Sequence, residues 1–515
     1  MVFFNGARGP LQLHKSSSVT IACLILSSCI FATTTGYDSA LINGINIMPS
    51  YTETLQLTTA TKSLNSASTF LGWAIVSTFM GPVVDRVGRR TGVLISVFLK
   101  LIGVALMSSA QEVVMFIIGR IMLGAGAGTS SIASSTWLAE TLPKRHRAAG
   151  LSFVYTVYYV GALIAAGVTY RTADISGSWS WRIPCLLQAI FSILCLLILF
   201  FVPESPRWLA HRGRVHDALI SIASTHSDSD ITHLDTVAQH RGIIDMIEWE
   251  RLNGKKMGYL EIFKTPSSRR RLMLVVSVAV LAMSSGNNLV TYYLGDMLNK
   301  AGITDSMTQL KVNIILTAWC LIVACLGTWL VDRSGRKIMC LISVAGMTVF
   351  IFLLGACTKL YGSGGNTSGV YGTVATIFLF QASYAIGITP LTILYPPEIL
   401  NFSIRSNGMA AWTFAVTCGG LFSVFVWPFA LEALGWQTYM INGAWNVVQF
   451  LFVAVFWIET RGLSLEEIDS KFDRLDSGGL VTTGIEAAEF EADLKDETGI
   501  GEMEKSKVVQ ACAAA

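Results

Sequence analysis

Two charged side chains sit inside apolar runs, where charge is costly. Asp38 lies in the first run and Arg120 in the fourth. A charge left alone at the centre of a bilayer costs about 3 kcal/mol or more. Their opposite signs and their place in the same half of the chain predict an ion pair. Lys100, midway along the third run, is a third such charge. It is expected to serve structure, by snorkelling, facing the bundle or pairing locally. A second set of residues suits non-covalent binding. Asn287, Asn288, Tyr292 and Tyr293 cluster in the seventh run, Tyr155, Tyr158 and Tyr159 in the fifth, with Gln381, Asn442 and Asn446 in later runs. Amides donate and accept hydrogen bonds, and aromatic rings add flat apolar faces. Covalent chemistry has no such signature. The runs hold no nucleophile–base set, there is no CxxC, and the seven histidines fall outside them, so neither a catalytic site, a metal site nor a cofactor is expected.

The elements that must position these residues follow from composition. Of 515 residues, 52% are hydrophobic and 14% charged, against about 25% charged in a soluble domain. The 37 basic and 34 acidic residues are unevenly spread: 40 of these 71 fall within 203–271 and 459–515. A net charge of +3 is too small for a phosphate-binding surface, so nucleic acid is excluded as a partner. Apolar runs fall at about 18–45, 63–84, 91–110, 113–138, 149–170 and 183–202, then at 272–298, 310–331, 338–358, 371–395, 406–430 and 438–458. Each is long enough for a helix to cross a bilayer. The prediction is an all-α polytopic membrane protein with twelve transmembrane helices in two six-helix bundles, 18–202 and 271–458. A short segment, 1–17, precedes them. The polar insert 203–270 reads as short amphipathic helices near 214–224 and 231–252. The segment 459–515 is acidic and reads as largely disordered, with ten Asp or Glu against five Lys or Arg after 470.

Lysine and arginine set the orientation. They gather after the second, fourth and eighth runs, as in Asp85-Arg86-Val87-Gly88-Arg89-Arg90, Lys144-Arg145-His146-Arg147 and Asp332-Arg333-Ser334-Gly335-Arg336-Lys337, and are sparse on the opposite side. Both termini and the insert are therefore expected in the cytoplasm. The same motifs disclose a repeat. DRVGRR at 85–90 returns as DRSGRK at 332–337, Glu140-x6-Arg147 as Glu398-x6-Arg405, and Glu204-Ser-Pro-Arg207, loosely, as Glu459-Thr-Arg461. Matched halves are how transporters build two bundles that rock about a central site.

At this point a family resemblance is evident. Gly81-x3-Asp85-Arg86-x-Gly88-Arg89-Arg90 resembles the loop signature of the major facilitator superfamily. Gly36-Tyr37-Asp38, Gly119-Arg120-x3-Gly124-x-Gly126-x-Gly128, Pro203-Glu204-Ser205-Pro206-Arg207-Trp208-Leu209 and Glu459-Thr460-Arg461-Gly462 resemble the sugar porter family within it. The likeness spans about 18–470. Within the family, Ser285–Leu294, Ile388-Thr389-Pro390-Leu391, Tyr395-Pro396-Pro397-Glu398 and Val426-Trp427-Pro428 are similar to fungal lactose and cellodextrin permease-like proteins.

The resemblance implies roles. Asp38 would take up a proton and Arg120 would tune it, so that protonation releases the pair and biases the bundles. Asp85, Arg89, Glu140, Arg147, Glu204, Arg207, Asp332, Arg336, Glu398, Arg405 and Glu459 would form a conformational latch of ion pairs and helix caps, linking the bundles when the cytoplasmic side is closed. A central pocket would take a small-molecule substrate through Asn287, Asn288, Tyr292, Tyr293, Tyr155, Tyr159, Gln381 and Asn446. The pocket departs from the family pattern where Tyr155 replaces a glutamine, Ala282 and Met283 replace paired glutamines, and Ile393 replaces a tryptophan. Three glycines at 124, 126 and 128 fit close helix packing rather than a phosphate loop, since they lie in an apolar run.

The expected activity is secondary active transport of a sugar, a disaccharide or hexose, in symport with protons by alternating access. The alternatives are the same fold with a polyol, glycoside or secondary metabolite as cargo, and a non-transporting sugar sensor. The expected setting is a monomer in the plasma membrane, glycosylated at Asn366 in the sequon Asn366-Thr367-Ser368.

Overall fold

The computed structural model describes residues 16–253, 265–361, 367–400 and 404–461, together with Ile468 and Phe472. The segments 1–15, 254–264 and most of 462–515, with Asn366 of the sequon, lie outside the described residues. All regular structure among the described residues is helical.

The first half comprises α1 Ser17–Ile47, a short α2 Pro49–Thr54, α3 Thr59–Val87, α4 Arg89–Ser108, α5 Val113–Thr141, α6 Lys144–Thr172 and α7 Trp179–Leu199. The insert supplies α8 Pro206–His211, α9 Val215–His226 and α10 Leu234–Asn253, close to the helices read from its sequence. The second half comprises α11 Pro266–Ser284, α12 Asn287–Lys300, α13 Ser306–Ser334, α14 Arg336–Tyr361, α15 Thr367–Ile399, α16 Arg405–Leu434 and α17 Gln437–Phe456. Eleven stretches among the described residues are long and apolar enough to cross a membrane, α11 and α12 together making one of them. Helix α6, 29 residues long, stands in the remaining, fifth place. Side chains such as Phe98, Ile118, Leu197, Trp329, Val349 and Phe422 are exposed on the outer faces of these helices, as lipid rather than water as solvent requires.

Local chemistry starts and stops the helices. Thr58 caps α3 by accepting from the N–H of Thr61, whose hydroxyl accepts in return from the N–H of Thr58. Thr265 and Asp305 cap α11 and α13 in the same manner. The seventh span breaks at Gly286, whose φ of +96° suits glycine. It bends again at Tyr293, where φ is −133° and the helical ladder is interrupted.

Packing follows small residues. A Cβ on Gly124 of α5 would lie 2.0 Å from the carbonyl oxygen of Thr69 on α3, so this glycine run serves helix contact. Within the first half α1 packs on α6, and α5 on α3 and α4. Within the second, α14 packs on α15 and α17, and α13 on α15. The halves meet through α3 against α16, α6 against α13, and α1 against α12. Alternating helix direction puts the basic motifs at one end of the molecule, the basic end, and the 47/59, 300/306 and 434/437 connections at the other, the far end.

Candidate functional site

Between the halves lies a central cavity of about 280 Å³, walled mainly by α1, α3, α6, α12, α13, α15 and α16. Asp38 comes to it from α1 and is 4% exposed. Arg120 of α5 is fully buried behind it, and its Nη1 donates to Asp38 Oδ1 at 2.5 Å. Its Nε donates to the carbonyl of Asn65 at 3.2 Å, which fixes the guanidinium. The structure thus brings together the two charges that the sequence pairs. Lys100 neither snorkels nor finds an acid among the described residues. It is buried and lines the same cavity as Asp38.

The opposite wall belongs to the broken seventh span. Asn287 Oδ1 accepts from Gln381 Nε2 at 2.8 Å, and Asn288 Nδ2 donates to Ser423 Oγ at 2.7 Å. Tyr292 hydroxyl lies 3.2 Å from Ser39 Oγ across the halves, as does Tyr159 hydroxyl from Thr389 Oγ1. All of these residues except Ser423 line the cavity, joined by Tyr158, Asn43, Asn313, Tyr384, Trp73 and Trp412. Several polar atoms of that wall are buried with no protein partner: Gln381 Oε1, Asn313 Nδ2, Trp73 Nε1, Trp412 Nε1 and Thr69 Oγ1. Buried polar atoms are rarely left so, and here their residues line the central cavity.

Three of the residues singled out for binding lie elsewhere. Tyr293 is 1% exposed and its hydroxyl donates to the carbonyl of Val424. Asn446 is fully buried and donates to the carbonyl of Ser285, while Asn442 donates to that of Ser284. The break at Gly286 strands those carbonyls, and these amides satisfy them. Of the two apolar replacements before the break, Met283 lines the cavity whereas Ala282 is buried away from it, its carbonyl accepting from Tyr384 hydroxyl. The side chains of Tyr155 and Ile393 lie outside those described.

At the basic end the two halves match closely. Arg89 Nε meets Glu140 at 3.0 Å and Arg336 Nη2 meets Glu398 at 2.9 Å. Arg89 also reaches Asp85 at 3.1 Å. Glu204 accepts from the N–H groups of Arg89 and Arg90, each at 3.0 Å, capping α4. Glu459 accepts from those of Arg336 and Lys337, at 2.8 and 3.0 Å, capping α14. Ser205 hydroxyl donates to Glu140, and Thr460 hydroxyl to Glu398 at 2.6 Å. Burial pushes the Glu204 carboxyl up, while the N–H groups of Arg90, Ser205 and Arg89 pull it back. The expected link between the bundles belongs to a closed basic end, and these contacts lie elsewhere. Among the described residues the pairs run within each half, α4 to α5 and α14 to α15, and do not bridge the bundles. The reason is local: each glutamate serves the bare N–H groups of the helix beside it in its own repeat. Arg207 lies in α8, half-buried. The side chains of Arg147, Asp332 and Arg405 lie outside those described.

The polar ties between halves lie elsewhere. At the far end Lys62 of α3 pairs with Asp296 of α12 at 2.8 Å. Nearer the middle, Asn43 Oδ1 accepts from the N–H of Leu294 at 3.2 Å, a donor set free by the bend at Tyr293, and Asn43 Nδ2 donates to Asn313 Oδ1 at 3.1 Å. Asn46 Nδ2 reaches the carbonyl of Tyr292 at 3.4 Å. Sequence reasoning missed this set. The signal available was an amide, Asn43 or Asn313, standing in an otherwise apolar run.

Two six-helix halves around a central cavity, with a broken seventh span, make this a major facilitator fold. The proton:xylose symporter XylE in its complex with 6-bromo-6-deoxy-D-glucose shares that fold with a TM-score of 0.72, at 23% identity, covering 89% of this chain and all of that one. A family model described as "Sugar (and other) transporter" matches residues 22–472, and the chain belongs to that family, the sugar porters, as a multi-pass membrane protein. Among curated relatives, the MFS-type transporter oryC of Aspergillus oryzae is 26% identical over 88% of this chain and 85% of its own length. Hexose transporter 2 of Kluyveromyces lactis is 27% identical over 88% and 83%. The putative metabolite transport protein YfiG of Bacillus subtilis is 28% identical over 85% and 89%.

Proposed function

We propose that this sugar porter is a secondary active transporter that moves a sugar or closely related hydroxylated molecule together with a proton, by alternating access of the central cavity. The observation that carries the reading is the Asp38–Arg120 pair, at 2.5 Å, with Asp38 on the cavity wall and Arg120 sealed behind it. An ionised Asp38 holds the guanidinium. A proton on Asp38 removes that attraction and frees both side chains at the moment cargo occupies the wall opposite. Asn287, Gln381, Tyr292, Tyr159 and Asn288 supply donors and acceptors for cargo hydroxyls, and Trp73 and Trp412 supply flat faces. Release proceeds when the far-end ties hold and the basic end parts. Uptake proceeds when Lys62–Asp296 and the Asn43 contacts open. The basic end and both termini face the cytoplasm in this scheme, because lysine and arginine gather there, and the plasma membrane is the proposed site. The halves 18–202 and 271–458 are the moving bodies, the insert 203–270 lies against the basic end, and one chain suffices.

The test is uptake into proteoliposomes across a panel of hexoses, disaccharides and polyols, with and without an inward proton gradient. Gradient-driven accumulation of one of them, lost in Asp38→Asn while exchange continues, is the expected result. Equal accumulation by the variant would refute coupling through Asp38, and no flux of any compound would favour a sensor.

A further inference from the structure

Lys100 is the buried charge that this scheme leaves unused. Its side chain leaves α4 and crosses α5 at Gly126, where a Cβ would sit 2.7 Å from Lys100 Cγ. The lysine stem therefore occupies space that a glycine keeps open, and the side chain is led inward to the cavity. The ammonium ends 5.0 Å from the centre of the Phe31 ring on α1. Among the described residues it makes no direct hydrogen bond or ion pair, and Asp38, bonded to Arg120, acts on it only through space. Among the residues lining the cavity, Asp38 and Lys100 are the charged ones. Two cations, Arg120 and Lys100, thus share one carboxylate in a region walled by protein and lipid, and one positive charge is left over. An aromatic face offsets part of that cost. An anion offsets more, and does so with a charge-assisted hydrogen bond.

We propose that the preferred cargo carries a carboxylate, and that Lys100 is the residue that selects it. The cargo class is a hydroxylated monocarboxylic acid, such as a sugar acid. Its carboxylate meets Lys100 on the first half, and its hydroxyls meet the amide wall of α12 and α15, where Gln381 Oε1 is unpartnered. A single negative charge balances the surplus, whereas a phosphate monoester, which carries about two at neutral pH, overshoots it. The inference rests on the reading of this cavity as a cargo site and deepens it.

The test uses the purified full-length protein and three matched pairs of probes: D-glucose with D-glucuronate, D-galactose with D-galacturonate, and lactose with lactobionate. Ligand-induced thermal stabilisation gives an affinity for each. At least one acid is expected to bind about tenfold or more tightly than its neutral partner. Lys100→Met should abolish that ratio, and Lys100→Arg should keep the preference. A lysine that only supports the fold would move both members of a pair together. Equal or better binding by all three neutral partners, or a preference that survives Lys100→Met, overturns the inference. Failure of all six probes overturns it together with the sugar reading. Flux separates this inference from the coupling proposal. A monocarboxylate moving with one proton carries no net charge, so its uptake should ignore a valinomycin-set membrane potential, whereas neutral-sugar symport should respond to one. If gradient-driven accumulation survives Asp38→Asn, the coupling proposal fails while the acid-to-neutral binding ratio still decides this one.

Discussion

The two halves agree at the basic end and part company at the middle of the membrane. At the basic end each half has an arginine on a glutamate, a hydroxyl on the same glutamate, and a second glutamate capping the next helix: Arg89, Glu140, Ser205 and Glu204 in one, Arg336, Glu398, Thr460 and Glu459 in the other. At mid-depth the first half holds Asp38, Arg120 and Lys100, while the second holds Asn287, Asn288, Gln381, Asn442 and Asn446. The repeat keeps the same contacts at the basic end and differs at the central cavity. The first half carries charge, and the second carries directed neutral hydrogen bonds.

The comparison can be broken in several places. The largest effect is expected from Asp38→Asn, which should take gradient-driven accumulation to background, measured in proteoliposomes. The mirror change, Asn288→Asp, puts a charge on the side of the cavity that has none, and should cost folded yield through an unpaired buried carboxylate, read by size-exclusion recovery. Next comes Gly286→Ala. The positive φ disfavours any Cβ by about 1–2 kcal/mol, and that Cβ would meet Asn442 Oδ1 at 2.4 Å. The thermal midpoint should fall by several degrees, with turnover falling too. Arg89→Ala and Arg336→Ala should each cost about 1 kcal/mol. Because the two pairs sit in separate halves, the double variant should show the sum within about 0.5 kcal/mol. Strong coupling between them would mean a bridge across the bundles. The smallest effect belongs to Met283→Gln, which should improve neutral hexose affinity a few-fold, while Ala282→Gln should not, since Ala282 is fully buried and does not line the cavity.

Much of this arrangement was legible in the sequence. The twelve runs, the place of the insert helices and the Asp38–Arg120 pair follow from hydropathy and from the cost of lone charge in lipid. The direction of the basic-end pairs did not follow. Arginine and glutamate in a repeat announce that they pair, but spacing along the chain cannot say whether the partner belongs to the same bundle. Helical phase was also hidden. Tyr292 and Tyr293 are neighbours in sequence, yet the bend between them sends one to the cavity and the other to Val424. Asn446 looked like a ligand because it is an amide in an apolar helix. The same property makes it the partner of a carbonyl stranded by the break at Gly286. Lys62 and Asp296 passed unnoticed because charges near the ends of apolar runs are common, and only the fold reveals that they meet.

A single residue separates α3 from α4, and a single residue separates α13 from α14: Gly88 and Gly335, with φ of +104° and +90°. Long rods joined by so short an elbow cannot twist independently. An inserted residue at either elbow would turn the following rod by about 100° about its own axis, carrying Arg89 off Glu140 or Arg336 off Glu398. The length of these joints therefore constrains the pairing as much as the charges around them do, and under the proposed alternating access each bundle would move as a block.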